Sequence, residues 1–494
     1  MAGDLTATEP LPPRAVLLRK PAGAMMTDTK ADLTCDVAII GAGTAGLAAE
    51  RAARAGGART LLIDDGFSGT LCATAGCMPS KLLIAAAHAR AGLDKARLMG
   101  IDIPDARVDG RRVMDRLRAE RDHFVAATRE GFADIPDGIC IDARARFAAR
   151  DRLVLDDGRQ VAARAVVIAT GSTPVIPGPY RDLGPRVLTN DTVFDLDDLP
   201  ASMAVIGAGP LGAELAQAFG RLGVQVALFD DGDRLAKIRC DRIHDAFRDL
   251  YAQDVTLHLG CAPEPSVRDD GIRLTWDGQH RDFDCVLVAT GRVPALDGLD
   301  LDRAGLTLDD KGVPDFDRNT LQCGTGAIFI AGDADADAPV LHEASLEGAI
   351  AGANAARHPE VTPADRPPLF TITFTDPPLA AIGEGPDACA LNGFADYSDQ
   401  GRARVELRNH GLLRLGADAQ GRLIGADLAV PGADHLAHLL VAAIMNGSTA
   451  RDLLAMPLYH PTLEEGLKPA LRDICKAAGL DLSAIHDSGN RSDR

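Results

Sequence analysis

The sequence predicts an α/β protein in which one βαβ architecture occurs twice, followed by a smaller α+β region. Three observations predict it. Asp36-Val37-Ala38-Ile39-Ile40 runs into Gly41-Ala42-Gly43-Thr44-Ala45-Gly46, and Ala204-Val205-Ile206 runs into Gly207-Ala208-Gly209-Pro210-Leu211-Gly212. Each is a short apolar stretch of buried-strand type leading into G-x-G-x-x-G and then an apolar helix pattern. Past Arg366-Pro367-Pro368 the pattern changes to short strands around Gly and Asp turns, then helices.

The first unit is a dinucleotide fingerprint in its required context. Its helix runs to about Arg54, and the next strand, Thr60 to Ile63, ends at Asp64. Gly41 makes the turn, Gly43 lets a pyrophosphate approach the backbone, and Gly46 allows close helix–strand packing. The phosphate faces a helix N-terminus, where free N–H groups favour an anion. Asp64 stands where an acid accepts hydrogen bonds from a ribose.

Next comes Cys72-Ala-Thr-Ala-Gly-Cys77-Met-Pro-Ser-Lys81. A regular helix would hold cysteines five apart at about 8–9 Å between Cα atoms. A disulfide tolerates less than about 7 Å. A bridge here therefore needs a break in the helix, which Gly76 permits, with Pro79 restarting it. Two core cysteines, half a zinc site and a redox pair all remain open on spacing alone. A zinc site needs a second close pair, and none of the other eight cysteines has a close cysteine partner. No metal site is expected.

The pattern stays helical to about Asp134. A hairpin-like region follows around Phe147, Leu153 to Leu155 and Asp156-Asp157-Gly158. The buried strand Ala165 to Ala169 ends in Thr170-Gly171-Ser172-Thr173-Pro174, and Asp195 to Pro200 reads as a linker. In the second unit the helix runs through Phe219 and the strand Val224 to Phe229 ends at Asp230. Cys285 to Ala289 ends in Thr290-Gly291-Arg292-Val293-Pro294, echoing the earlier turn. Ala327 to Ala331 ends in Gly332-Asp333, with a helix from about Glu343 through Asn354. Beyond Pro368, strands are expected at Thr371 to Phe374, Ala403 to Leu407, Leu412 to Leu415 and Leu423 to Leu428. Helices are expected at Ala433 to Met445 and Thr449 to Leu454, with His460-Pro461-Thr462-Leu463-Glu464-Glu465 opening the last.

Composition sets limits on function. The chain has 494 residues, too many for one core, so roughly two to four domains are expected. Hydrophobic residues at 46% and charged residues at 25% are those of a folded, non-membrane protein. Lys+Arg 52 against Asp+Glu 71 gives −19, which argues against nucleic acid and anionic membranes as partners. No apolar run approaches a membrane span. Mostly solitary cysteines point to a reducing compartment, hence a cytoplasmic setting. Residues 1–33 read as a disordered extension, with Met26 a natural start, and 487–494 as a tail.

These motifs, in this order from about Cys35 to Ile474, resemble the two-dinucleotide flavoprotein disulfide reductases, the class I pyridine nucleotide-disulfide oxidoreductases. The dihydrolipoamide dehydrogenase branch is the most similar. The resemblance implies FAD on the first unit, held by Gly41, Gly43, Gly46 and Asp64, with Ala145 at the adenine, Thr170 and Gly171 in the turn, Asp333 at the ribityl side and Lys81 near the ring. It implies NAD on the second, at Gly207, Gly209, Gly212, Asp230 and Gly291. Cys72 would be the interchange thiol and Cys77 the thiol facing the flavin, joined as a disulfide when oxidised. Glu214 would pair with Lys81. His460 and Glu465 would form an acid–base dyad supplied by the other subunit of a homodimer. The implied division is 34–199 and 295–365 for FAD, 200–294 for NAD, and 366–486 for the dimer interface.

Other branches fit less well. Only Cys475 lies where mercuric reductases carry a cysteine pair, and the tail lacks the pair of high-molecular-weight thioredoxin reductases. Asp230-Asp231 stand where glutathione reductases carry arginines, and an acid there repels a 2′-phosphate, favouring NAD. Leu71, Leu458 and Ala73-Thr74-Ala75 depart from the usual residues, which bears on the substrate. The expected function is FAD-dependent dihydrolipoamide dehydrogenase, acting on a small dithiol such as the lipoyl groups of a 2-oxoacid dehydrogenase complex. The alternatives are a glutathione-reductase-like enzyme or NADH:acceptor oxidoreductase with another substrate, and a docking flavoprotein of a multienzyme complex.

Overall fold

The computed structural model describes residues 33–104 and 106–483. The expected extension, apart from Leu33, and the tail lie outside the described residues. The first unit is β1 (Leu33–Ile40), α1 (Thr44–Ala55) and β2 (Thr60–Asp64). Val37, Ala38 and Ile39 are fully buried, because both faces of β1 are covered. β1 pairs in parallel with β2 and with the strand Gln160–Ile168, which pairs in turn with Ile328–Ile330. In register, Ile40 lies beside Ile168, and Ile168 beside Ile330. The turns after these strands therefore open at one edge of the sheet, where open α/β sheets bind ligands. Antiparallel strands Ala145–Ala149 and Arg152–Leu155 extend the sheet.

The second sheet repeats this plan. Ser202–Ile206 lies between Gln225–Asp230 and Cys285–Val288, all parallel. Val187–Leu188, upstream of residue 200, pairs with Cys285–Val288 at the edge of this sheet. A three-stranded antiparallel sheet follows, Glu264–Val267, Ile272–Trp276 and Gln279–Phe283, which the sequence reading missed. Its signal was the Asp277-Gly278 turn, with φ of 47° and 74°. The strands were obscured by charge: Arg273 and Asp282 lie opposite each other and pair at 2.6 and 2.7 Å.

The last sheet is antiparallel, ordered Phe370–Thr373, Leu379–Gly383, Leu423–Ala429, Leu412–Ala417, Leu391–Asp396. Leu379–Gly383 and Leu391–Asp396 were not anticipated. Ala403 to Leu407, expected as a strand, forms part of the helix Gly401–Val405. Alternating Ala403, Val405 and Leu407 imitates a strand period. However, the Gln400 side chain accepts from Ala403 N at 2.7 Å, and Arg402 pairs with Glu406 at 2.6 Å, which closes a helical turn. The helical pattern expected through Asp134 is also broken. α3 (Cys77–Leu98) and α4 (Gly110–Ala133) are separate, because Gly100 at φ 84° and Pro104 end the first. His460 does not open the last helix: a 3₁₀ turn spans Glu464–Leu467 and the helix is Lys468–Ala477.

The last sheet is tied to the second unit by a buried carboxylate. Arg414, fully buried, donates through Nε to Asp427 at 2.7 Å, and Arg239 donates to the other oxygen at 2.8 Å. Arg239 follows the second βαβ unit in the chain, so Asp427 spans two sheets. Asp427→Leu should cost about 3–5 kcal/mol, because it strands two guanidinium groups, one fully buried. A shift of the denaturant midpoint to lower concentration would show it; an unchanged midpoint would refute it.

Candidate active site

α2 (Leu71–Thr74) carries Cys72, and α3 begins at Cys77, two residues before Pro79. Between them Gly76 takes φ −118° and ψ −118°. A Cβ there would lie 2.9 Å from the Leu71 carbonyl oxygen and 3.2 Å from Cys72 Cα. Only glycine lets the chain fold back so tightly, and the fold-back brings the two sulfurs together. Both are thiols here, the reduced form of the pair that the resemblance joins as a disulfide. The neighbouring Cys72 thiol, as a hydrogen-bond donor, is the largest cause that lowers Cys77 to about 6. Burial opposes the shift, and the Lys81 ammonium assists it. Cys72 is pushed far up by the same hydrogen bond and by burial. The two shifts run in opposite directions, down for Cys77 and up for Cys72.

Lys81, one turn into α3, meets Glu214 at 2.8 Å. Glu214 is 5% exposed, on the helix Pro210–Arg221 that follows the second glycine turn. Its other oxygen accepts from Phe374 N at 2.7 Å, and Lys81 Nζ lies 4.4 Å from the Phe374 ring centre. A lysine held by a buried acid and an aromatic face thus stands beside the cysteines.

Cys72 and Cys77 share one cleft of about 280 Å³ with Gly41, Gly43, Asp64, Thr170, Gly171 and Asp333. Gly41 has φ 103°, and its Cβ would fall 2.3 Å from the Ala169 oxygen; a Cβ on Gly46 would fall 1.8 Å from the Gly41 oxygen. Gly43 faces open space. Asp64 accepts from Ala42 N at 2.8 Å, which braces the turn. The buried Thr170 hydroxyl has no partner among the described residues, and Asp333 accepts from Ser172 Oγ at 2.7 Å. An orphaned donor, a bare glycine turn and a helix N-terminus lining one cleft suit a dinucleotide. Ala145 is buried at the start of its strand and is not among the cleft-lining residues.

The second turn has the same construction. Gly207 has φ 109°, Gly209 faces open space, and a Cβ on Gly212 would sit 1.9 Å from the Gly207 oxygen. Asp230 accepts from Ala208 N at 2.5 Å and from Gly232 N at 2.7 Å. Gly291, at φ 123°, lies in the turn after Cys285–Val288.

His460 and Glu465 are together but apart from this cleft. His460 Nδ1 lies 2.9 Å from Glu465 Oε2, and Lys468 Nζ lies 3.2 Å from Oε1. Burial pushes Glu465 up, but the hydrogen bonds from His460 and Lys468 outweigh it and hold the carboxyl below its usual range. The His460 side chain is 63% exposed, and neither residue lines the cysteine cleft of its own chain.

Three site residues escaped the sequence reading. Arg292 donates to Ser172 Oγ at 2.8 Å and to Asn190 Oδ1 at 2.9 Å, and Asn190 donates to the Ala75 carbonyl at 3.1 Å. Arg292 could have been found as a charge directly after a glycine turn; Asn190 carries no local signal.

Residues 35–356 match the family described as pyridine nucleotide-disulphide oxidoreductase, and residues 369–471 match its dimerisation domain. The chain is 31% identical to the dihydrolipoyl dehydrogenase of Halobacterium salinarum, over 88% of this chain and 95% of that one. It is 28% identical to a mercuric reductase of Staphylococcus aureus, over 90% and 83%. Its fold is similar to that of the HOCl-induced flavoprotein disulfide reductase RclA from Escherichia coli, with a TM-score of 0.77, 22% identity and coverage of 88% and 99%.

The thiol pair makes a pH prediction. In the reduced protein, iodoacetamide alkylation of Cys77, resolved by peptide mass spectrometry, should rise through an inflection near pH 6. Cys72→Ala removes the donated bond and should move that inflection upward. An unmoved inflection would show that the bond does not set the thiolate.

Proposed function

We propose a dihydrolipoyl dehydrogenase function for this chain, which belongs to the pyridine nucleotide-disulphide oxidoreductase family, FAD-containing and NAD(P)-using. The observation that carries it is the Cys72–Cys77 pair, folded together at Gly76 in the cleft lined by the first glycine turn. Dihydrolipoyl dehydrogenases at about this level of identity along nearly the whole chain support the substrate class.

In this reading residues 34–199 and 295–365 hold FAD through Gly41, Gly43, Gly46, Asp64, Ala145, Thr170, Gly171, Lys81 and Asp333. Residues 200–294 hold NAD through Gly207, Gly209, Gly212, Asp230 and Gly291. The segment 366–486 forms a homodimer, consistent with the matched dimerisation domain. The setting is cytoplasmic. Asp230 favours NAD, since a carboxylate repels a 2′-phosphate.

The chain's residues then act in sequence. With the pair oxidised, His460 of the partner subunit takes a proton from a substrate thiol, and Glu465 of the partner subunit stabilises the imidazolium. The substrate thiolate attacks Cys72 Sγ and breaks the Cys72–Cys77 bond. Cys77 leaves as a thiolate, its charge favoured by the nearby Lys81 ammonium. The second substrate thiol releases its proton to solvent; its thiolate closes on the first substrate sulfur and expels Cys72, which takes the proton held by His460 of the partner subunit. The substrate leaves as a disulfide, and the cysteine pair has gained its two electrons. Lys81, held by Glu214, keeps a positive charge beside the Cys77 thiolate. FAD, when bound, supplies two-electron exchange between the pair and the nicotinamide.

A second reading, a related reductase or NADH:acceptor oxidoreductase with another substrate, is favoured by Leu71. It is 38% exposed and lines the cleft beside Cys72.

Turnover with dihydrolipoamide and NAD, against oxidised glutathione with NADPH, mercuric ion with NADPH, and quinone with NADH, should separate these. Dihydrolipoamide with NAD should dominate; dominance of any other pair replaces the proposal with the second reading. His460→Ala should cost about 10²–10⁴-fold in dithiol turnover, the scale of a positioned acid–base group. It should leave transfer from NADH to an artificial acceptor intact, and equal loss in both assays would contradict the assigned role. Catalytic efficiency with NADP equal to that with NAD would contradict the role given to Asp230.

A further inference from the structure

A buried polar chain joins the loop between the two cysteines to the turn that carries Asp333. Asn190 is 4% exposed. Its Nδ2 donates to the Ala75 carbonyl at 3.1 Å and to Asp191 at 2.8 Å, and its Oδ1 accepts from Arg292 at 2.9 Å. The guanidinium also donates to the Ser172 hydroxyl at 2.8 Å and to the Ser172 carbonyl at 2.6 Å. That hydroxyl donates to Asp333 at 2.7 Å.

Ala75 is the residue at which the backbone leaves α2 on its way to Gly76 and Cys77. It precedes the fold-back, so the direction of its carbonyl sets where Cys77 lies relative to Cys72. The loop's own bonds are local: Ala75 N donates to the Leu71 carbonyl, and Ser80 N to the Gly76 carbonyl. Asn190 comes from a different part of the chain and reaches the loop from outside. Its amide cannot turn over, because reversing it would set an NH₂ against the Arg292 donor and an oxygen against the Ala75 carbonyl.

We propose that Asn190 is a positioning residue for the cysteine pair: by holding the Ala75 carbonyl it keeps Cys72 within hydrogen-bonding reach of Cys77, and through Arg292 it locks that geometry to the turn bearing Asp333. The inference rests on reading Cys72 and Cys77 as the redox pair. The charged groups that face Cys77 are Lys81 on α3 and Glu214 on the helix Pro210–Arg221, with Cys72 on α2, and Asn190 touches none of them directly. Its effect passes through the backbone, so its loss leaves the local charges in place and loosens only the sulfur-to-sulfur bond.

The test is the pH profile of iodoacetamide alkylation at Cys77 in the reduced holoenzyme, read by peptide mass spectrometry. Asn190→Ala should move the inflection upward by about one unit, the scale of weakening one hydrogen bond to a charged group. Flavin content and melting temperature should stay near wild type. Ser172→Ala should do the reverse, lowering flavin retention without moving the inflection. An Asn190→Ala profile that superimposes on wild type overturns the proposal. If that variant does not fold, Arg292→Met takes the anchor from Asn190 and should shift the profile in the same direction; no shift overturns the proposal equally. A wild-type protein with no low-pH reactivity that disappears in Cys77→Ser would instead overturn the redox-pair reading itself.

Discussion

The alignment of three parallel strand ends, Ile40 beside Ile168 beside Ile330, is the constraint from which the rest of the molecule follows. It brings the turns at Gly41, Thr170 and Asp333 to one edge, from segments far apart in sequence. Those turns can lie so close only because Gly41 has no side chain where the Ala169 oxygen approaches. Any Cβ there would force the strands out of register, and the crevice would close before it could hold a phosphate. The second sheet meets the same constraint with the same solution, since Gly207 faces the Ala289 oxygen in the same way.

The cysteine loop depends on this frame but has its own electrostatics. A lone exposed thiol near neutral pH is mostly protonated. Here the two sulfurs are coupled, Cys77 shifted down and Cys72 up. The Lys81 ammonium also favours the charged form of Cys77. Lys81 and Glu214 couple this chemistry to the second unit, because Glu214 comes from the helix after its glycine turn and also holds Phe374 N.

His460 and Glu465 lie outside that cleft, already paired and mostly exposed on the histidine side. A histidine–carboxylate pair with no cleft of its own is what the proposed composite site of a two-fold dimer requires. The segment that carries it lies beside the antiparallel sheet, whose buried Arg414–Asp427 pair is anchored to the second unit through Arg239.

Both glycine turns, the acids ending their second strands, the cysteine loop and the order of sheets were legible in the sequence. Each is a local pattern whose residue types admit one backbone solution. The short strands after Asp376 and around Asp277-Gly278 were not legible: Leu379–Gly383 is a five-residue inner strand without alternation, and charged residues break the period of Ile272–Trp276 and Gln279–Phe283. Ala403 to Leu407 misled for the opposite reason, an alternation overruled by the Gln400 cap. Asn190 was invisible as a site residue, because its meaning lies in what it touches. The sequence by itself determined where phosphate-binding turns and a thiol pair would form, since glycine sterics and cysteine chemistry are properties of single residues. Only the tertiary structure decided which asparagine grips the cysteine loop and which arginine ties it to the Asp333 turn, since hydrogen bonds depend on distances between chain segments that the linear order does not contain.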